Sequence, residues 1–549
     1  MIVIFGLIEA TMVELIRRAK MSTESHDLFD EPGSQSQRRR KKRPSKQVFK
    51  PYAQHQAMVL PPSLDELIPE KHLVRVVDTV LGRLNIDALI DTYKGGGASA
   101  FHPEMLLKVL VYAYVSKVYT ARQIAKALRQ DIHFMWLAGM QRPDFRTINL
   151  FRSGRLREVI DKVFVETVVF LYENKYVTLD QYFLDGTKIA ADANKYSYIW
   201  AKNTHRHKKR LMEKLTGLLQ NIDELNRQEN ERYGDRDLEE LGHESSLTSQ
   251  ALQSHIEQLN TTIAQSSSTE QTKRLTKAVK ELERTCLPKL THYERQERLL
   301  AGRNSYSKTD TDATFMRMKD GQLLPAYNIL LGTERQFILS YSVHQKATET
   351  DLLCDHLTMF LNRSKRSPRA VIADAAYGSE ENYHFLATHG IDAYVPAKWL
   401  QHRYFTKEHF QYDAATDTYR CPQGRPLVLK HQHTRTTARG YQHTIRQYQS
   451  LDCSECPVAT RCKRGQGPRS LHVSPRWDQY YAEARYRLTT DDGVKLYAQR
   501  GVENESVFGD LKRNQGVNRF QLRGKTKVNI ETGLHSIAHN MKKLALMIN

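Results

Sequence analysis

The sequence predicts an α/β protein: a mixed sheet interrupted by two insertions and preceded by an all-α N-terminal domain. Three observations carry this. Apolar residues recur at helical spacing from residue 64 to about 157. Beyond Val177, short apolar segments with strand texture alternate with helical ones, the pattern of a sheet covered by helices. Two stretches break that alternation, one patterned in leucine and one rich in cysteine, histidine and arginine.

The chain opens MIVIFGLIEA, an apolar stretch with no basic residue before it and closed by Glu9, which is not the pattern of an export signal. Met12 and Met21 follow closely, and the polar stretch from Met21 has the texture of a disordered N-terminus, so the native start is expected downstream of Met1. Residues 1–50 are expected to be a disordered basic segment. Its run Arg38, Arg39, Arg40, Lys41, Lys42, Arg43 suits a phosphate backbone better than a merely solvated tail.

Residues 51–170 form the expected helical domain, on the periodicity of HLVRVVDTVLGRLNIDALI and PEMLLKVLVYAYVSKVY, with Pro103 where a first-turn proline belongs. The segment 120–137, with Thr120 as N-cap, reads as one helix of a helix-turn-helix pair. Arg122, Lys126 and Arg129 recur at i, i+4 and i+7, making one basic face on which DNA contact is expected.

The sheet is expected in two parts, 171–202 and 301–402. QYFLDGTKIAADA opens it as a half-buried strand; LPAYNILLG, FILSYSVH, AVIADAAYG and IDAYVPA continue it, with helices over TETDLLCDHLTMFLN and 379–389. Residues 203–300 intervene as a coiled-coil-like helical insertion. Leu211, Leu215, Leu218, Ile222 and Leu225 are spaced 4, 3, 4, 3, and Leu252, Ile256, Leu259, Ile263 and Leu275, Val279, Leu282, Cys286 repeat the seam. Gly234, Gly242 and the serines at 266–268 interrupt it, so a self-packed antiparallel bundle is expected rather than a dimer zipper. Residues 403–475 form the cysteine-rich insertion and 476–549 a basic helical C-terminal segment.

The chain has 549 residues, with 82 Lys+Arg against 62 Asp+Glu and a formal net charge of +20. That length implies several domains, because single cores stop growing at about 250–300 residues. No apolar run approaches the roughly eighteen residues a membrane helix needs, which excludes a membrane protein, and the excess of cations points to a polyanionic partner. Six cysteines in so long a chain are no disulfide framework, and four fall in one short region, so a reducing, cytoplasmic compartment is expected.

Three acidic residues stand out by position. Asp185 lies on the first sheet strand, followed by the small Gly186; Asp374 ends the apolar strand Ala370–Ala373; Glu505 lies in the helical segment RGVENESVFGDLK, with Lys512 two turns on. A carboxylate at the end of a buried strand is costly unless it is paired or binds a cation. Carboxylates from a central strand, a neighbouring strand end and a covering helix can converge on two hard cations, the arrangement of two-metal phosphoryl transfer. Singly, each acid also has a bland explanation in a chain with 62 of them.

Taken in order, the segments resemble a known family. FHPEMLLKVLVYAYVSKVYTARQIAKAL and PDFRTINLFR are similar to the N-terminal domain of bacterial insertion-sequence transposases. FLDGTKIAADANKY, KTDTDATFMRMKDGQLLPAYNILLG, VIADAAYGSEENYHFL and ESVFGDLKRNQGVNRFQLRGKTKVNIETGLHSIAHNMKKL resemble the successive blocks of that family's DDE catalytic domain. The resemblance implies an RNase H-like core in which Asp185, Asp374 and Glu505 hold Mg²⁺. It also implies attack by water on the DNA backbone at the element's ends, then attack by the freed 3′-hydroxyl on target DNA. Tyr497, Arg500, Glu505 and Lys512 fit the family's tyrosine, arginine, glutamate and lysine signature, with one extra residue between the arginine and the glutamate. Glu503 lies near but is expected to point away from Glu505. Arg500 and Lys512 are expected to position phosphates, and Asp310 and Asp312 to cap the chain's return into the sheet.

Cys421, Cys453, Cys456 and Cys462 give C-x31-C-x2-C-x5-C, four thiolates that could hold one tetrahedral Zn²⁺ in a zinc-ribbon-like insertion; His431, His433 or His443 is an alternative ligand and unligated thiols the alternative reading. Cys286 and Cys354 fit apolar helix faces. Lys512, Arg513, Arg519, Arg523, Lys525 and Lys527 crowd the segment after Glu505, with Phe520 among them, and suit DNA backbone contacts.

The leading expectation is therefore a Mg²⁺-dependent DNA transposase, homo-oligomeric on double-stranded element ends and target DNA, cytoplasmic and nucleoid-associated. The alternative is a non-catalytic DNA-binding protein derived from a decayed transposase. A coiled-coil scaffold would use only residues 205–290 and leave the acidic blocks unexplained.

Overall fold

The computed structural model describes residues 63–93, 99–233, 247–265, 270–397, 405–463 and 465–548, all within the compact unit Pro61–Asn549. The basic run at 38–43, the early methionines, Gly234, Gly242 and the serines at 266–268 lie outside the described residues.

Fold class follows the sequence: the described chain is mixed α/β, with a helical N-terminal region and a mixed sheet. The strands in chain order are β1 Gln181–Ala190, β2 Tyr198–Trp200, β3 Ser305–Ser307, β4 Thr314–Arg317, β5 Leu323–Glu334, β6 Phe337–His344, β7 Ala370–Ala373 and β8 Asp392–Tyr394. The main sheet runs β4-β5-β1-β7-β8, with β6 also on β5. β1 pairs antiparallel with β5 and parallel with β7, and β8 continues parallel. Being central, β1 must be apolar on both faces, and its first half is: Tyr182 and Leu184 are buried on one side and Phe183 on the other. β7 stops opposite Leu184, so from Asp185 onward β1 loses its neighbour on that edge and its residues become half-buried.

The edge strand β6 is covered by the C-terminal helix Lys525–Ile548. Asn540 projects from that helix and completes the edge: Ile338 N–H donates to its Oδ1 at 2.8 Å, and its Nδ2 donates to Ile338 O at 2.9 Å. Glycine at 533 lets the helix come close, because a Cβ there would stand 2.4 Å from Tyr341 Oη. The other face of this helix receives the N-terminal helices, and Leu81, Leu107, Val111, Ile124 and Val163 share one core with Leu534, Ile537 and Met541. The segment expected as one helix over 120–137 is two, Ala121–Gln130 and Ile132–Leu137. Asp131, in extended backbone, ends the first and caps the second by accepting from His133 N–H at 2.8 Å. A short acidic side chain competes for backbone donors in this way, and the apolar spacing does not reveal it.

β2 and β3 pair at the root of the helical insertion, β2 leading into helix Ala201–Tyr233 and β3 following helix Leu287–Leu300. The insertion packs on itself: Leu215, Ile222, Leu252, Leu259, Val279, Leu282, Cys286 and Leu290 make a core separate from the main one. In the cysteine-rich insertion, strands β9 Gln411–Asp413, β10 Thr418–Arg420, β11 Pro426–Thr436, β12 Gln442–Ser450 and β13 Ser470–Val473 form an antiparallel meander. Its small core holds Tyr419, Leu427, Tyr448, Cys462 and Leu471. Arg439, at its hairpin end, reaches Asp355 with two 3.0 Å bonds and ties the insertion to helix Leu353–Ser364. Among the described residues no helix is long and apolar enough to cross a membrane.

One contact under the sheet admits no side chain. Tyr182 bonds Ser340 and His356 beneath β5, and a Cβ on Gly332 would lie 2.0 Å from its ring and hydroxyl. Gly332→Ala must displace a fully buried, hydrogen-bonded tyrosine, so it is expected to cost on the order of 3 kcal/mol. Urea unfolding of the variant checks this; an unchanged midpoint would contradict it.

Candidate active site

The end of β7 against β1 creates the site. Because Leu184 is in register with Ala373, the next residues on each strand, Asp185 and Asp374, are set side by side where the sheet opens. Asp374 accepts from Ala376 N–H at 2.8 Å, which fixes the turn Ala375–Tyr377 that follows. Asp185 Oδ1 accepts from Gly186 N–H at 2.7 Å, and Arg500 Nη1 lies 3.8 Å from Oδ2. Burial, with the Asp374 and Glu505 charges added, pushes the Asp185 carboxyl up to about 6 against the opposing pull of Gly186 N–H and Arg500.

Glu505 arrives on a helix whose winding is irregular. Helix Asp491–Arg500 runs into a π-turn at Gly501–Glu505, then Ser506–Gly509, then a second π-turn at Asp510–Asn514. A π-turn takes one more residue per turn than an α-turn, and the surplus residue between Arg500 and Glu505 falls inside it. The widened turn brings both residues to the Asp185 side, Arg500 as its ion-pair partner and Glu505 as a repelling charge. Two neighbours anchor the turn: Glu503 accepts from Gln336 N–H at 2.6 Å, and Asn504 Oδ1 accepts from buried Thr333 Oγ1 at 2.7 Å. Glu503 is thereby engaged at the β5–β6 hairpin. That hairpin needs the clamp, since Arg335 and Gln336 both have positive φ, 50° and 62°, without being glycine.

Lys512 reaches across to β1 and donates to Lys188 O at 3.1 Å, while burial lowers its ammonium from the ordinary lysine range. The other basic residues are more dispersed. Arg519 and Arg523 both pair with Asp192 at 2.8 Å, Arg513 is exposed, and Lys525 starts the C-terminal helix with its N–H donated to Asp312 at 2.8 Å. Asp310 is buried and accepts from Tyr327 Oη and Gly524 N–H, so both aspartates hold the chain's return. Phe520 is a core residue packed edge-on to Tyr327. Arg122, Lys126 and Arg129 are exposed on one face of their helix, opposite buried Ile124 and Leu128, with Arg122 over the Phe145 ring.

Sequence reasoning missed Glu349, in the loop after β6. Its carboxyl is raised by burial and by Asp185 and Asp374, which makes it a fourth acid of the same neighbourhood. No periodicity marks a loop glutamate; the only trace is Gly186, whose missing side chain leaves it room.

The donors present, carboxylate oxygens with Arg500 as the cation beside Asp185, suit hard divalent cations. As the side chains stand, no three His, Cys, Asp or Glu among the described residues are gathered closely enough to hold an ion, so a cation would have to draw these repelling groups together. The same holds for the cysteines. Cys421, Cys453 and Cys456 are electrostatic neighbours of buried Cys462, Gly424 closes a turn onto Cys421 O at 2.8 Å, and Arg469 N–H donates to Cys453 Sγ at 3.3 Å.

Two family models match the chain: a transposase domain (DUF772) over residues 62–154, and a transposase DDE domain over residues 420–545. No curated protein matches it. Both matches are to transposase domains. Together they support a DDE transposase of insertion-sequence type. The DDE match includes Glu505 and the C-terminal helix but not Asp185 or Asp374.

The raised Asp185 carboxyl has a consequence for stability. The native state keeps that proton to about pH 6, whereas the unfolded chain releases it near the ordinary value of ~4, so native protein binds more protons between them. Stability from this group falls as pH rises through that window, and the full penalty applies above it. Without divalent cation, Asp185→Asn is therefore expected to be more stable than wild type at pH 7.5, by on the order of 2 kcal/mol, and equally stable near pH 4. Thermal melts at the two pH values check this; wild type more stable at pH 7.5 would contradict it.

Proposed function

We propose that the protein is a DNA transposase that cleaves the strands at the ends of an insertion sequence and transfers them to target DNA, with Asp185, Asp374 and Glu505 as its metal-binding carboxylates. The observation that carries this is that two acids from separate elements, Asp374 and Glu505, lie near enough to Asp185 at the opening between β1 and β7 for their charges to act on it, with Arg500 set against Asp185. The sheet order β6-β5-β1-β7-β8, antiparallel on one side of β1 and parallel on the other, supports an RNase H-like core.

Two divalent cations held by these carboxylates would activate the attacking oxygen and stabilise the leaving one. The chain's own residues do the rest. Arg500 offsets the Asp185 charge and, with Lys512, presents cations to a phosphodiester at the same opening. Glu503 and Asn504, locked to the hairpin and to β5, hold the turn that carries Glu505. Arg122 and Lys126 on one exposed face, and Arg513, Arg519, Arg523 and Lys525 after Glu505, supply backbone contacts to double-stranded DNA, the affinity of which falls with salt. Element ends must be brought together, which a homo-oligomer on DNA achieves, and a cytoplasmic, nucleoid-associated protein has the necessary access.

Excision from a plasmid carrying the gene's native flanks tests the reading. With Mg²⁺, wild type is expected to excise and Asp374→Asn to lose cleavage by roughly a thousandfold or more while still binding ends, because several kcal/mol of charge stabilisation is removed and each ~1.4 kcal/mol is a factor of ten. Salt-sensitive binding with no cleavage by either protein would favour the decayed, DNA-binding alternative.

In the cysteine-rich insertion, Cys421, Cys453, Cys456 and Cys462 are proposed to hold one structural Zn²⁺. Protein purified without chelator is expected to contain one zinc per chain, lost on Cys453→Ser with weakened folding of the insertion. Zinc-free native protein would end this part of the reading.

A further inference from the structure

Gly186, the residue after Asp185, is where two side chains from elsewhere meet. A Cβ at this position would lie 2.9 Å from Glu349 Cδ, 3.0 Å from Glu349 Oε1 and 3.1 Å from Tyr377 Oη. Glu349 thus passes over the one point of β1 that has no side chain, in electrostatic reach of Asp185 and Asp374, with Lys188 the cation that faces it. Tyr377 comes from the turn that Asp374 caps, so its position is tied to that carboxylate. It is fully buried, and its hydroxyl is directed at the Glu349 carboxylate without completing a hydrogen bond of good geometry to it. A buried hydroxyl whose hydrogen bond is poorly made is costly, and the cost is removed when the carboxylate or an ion's oxygen shell moves to accept from it.

We propose that Glu349 is a fourth carboxylate of the divalent-cation site, reaching it over Gly186, and that Tyr377 positions it by donating to the oxygen shell of the bound ion. This rests on the assignment of Asp185 and Asp374 as metal-binding residues. Two neighbouring cations need more oxygen ligands than three carboxylates supply, and Glu349 brings a further pair of oxygens within electrostatic reach of Asp185 and Asp374. Gly186 then has a defined purpose: its missing side chain is the passage through which the fourth carboxylate enters.

The test is binding of Mn²⁺ to the full chain, followed by electron paramagnetic resonance and by calorimetry, for wild type, Asp374→Asn, Glu349→Gln, Glu349→Asp, Gly186→Ala and Tyr377→Phe. Glu349→Gln is expected to weaken Mn²⁺ binding by roughly tenfold or more, and Tyr377→Phe by less. Glu349→Asp should recover part of the loss. Gly186→Ala alters no charge but fills the passage, and should weaken Mn²⁺ binding as Glu349→Gln does while end binding by the folded protein is retained. Wild-type Mn²⁺ affinity in Glu349→Gln and Gly186→Ala, alongside its loss in Asp374→Asn, would overturn the fourth carboxylate and leave the three-acid reading standing. Wild-type affinity in Asp374→Asn as well, or no Mn²⁺ binding by wild type, would overturn both.

Discussion

Like charges are crowded at one point of the sheet, and much of the architecture holds them there. Asp185 and Asp374 are adjacent because β7 ends opposite Leu184, and Glu505 is delivered to the same opening by a helix that lies over the Phe183 face of the sheet. The cation beside Asp185 is Arg500, at 3.8 Å, a weak counterweight to three carboxylates and Glu349. Left alone, such a cluster would push its elements apart. It is kept in place by contacts spent elsewhere: Glu503 on the hairpin, Asn504 on Thr333, and Asn540 along the edge of β6.

This division of labour explains why the C-terminal helix is so deeply buried. It covers the open edge of the sheet, receives the N-terminal helices, and through His539 and Lys543 grips the same strained hairpin that Glu503 clamps from the other side. The two insertions carry cores of their own and join the main body at narrow roots, the β2–β3 ribbon for one and the Arg439–Asp355 pair among the attachments of the other.

How much of this could be read in the sequence depended on whether a residue's environment was set locally. Strands β1, β5 and β6 and the heptad-spaced core of the insertion were legible because their apolar spacing repeats. Asp185 and Asp374 were legible because a carboxylate that ends or interrupts an apolar strand violates the pattern around it. Glu505 stood out by its place in a helical segment and by the family signature, and the signature's one-residue surplus is accommodated by a π-turn that no propensity announces. The strands of the cysteine-rich insertion were missed because β11 is mostly exposed, β12 half-buried and both polar, leaving no alternation to find. Phe520, which stands among the cations in the sequence, is a core residue, since the chain there folds back onto Tyr327. Glu349 was invisible because its meaning depends on Gly186, far off in sequence and adjacent only after the sheet has formed.

The central claim is that these acids form one cation site. Anomalous diffraction from crystals of the full chain soaked in Mn²⁺ measures this directly. The account predicts manganese density at the opening between β1 and β7, within coordination distance of Asp185 and Asp374 and with Glu505 drawn toward it. Manganese bound only elsewhere, with these carboxylates still apart, would contradict it.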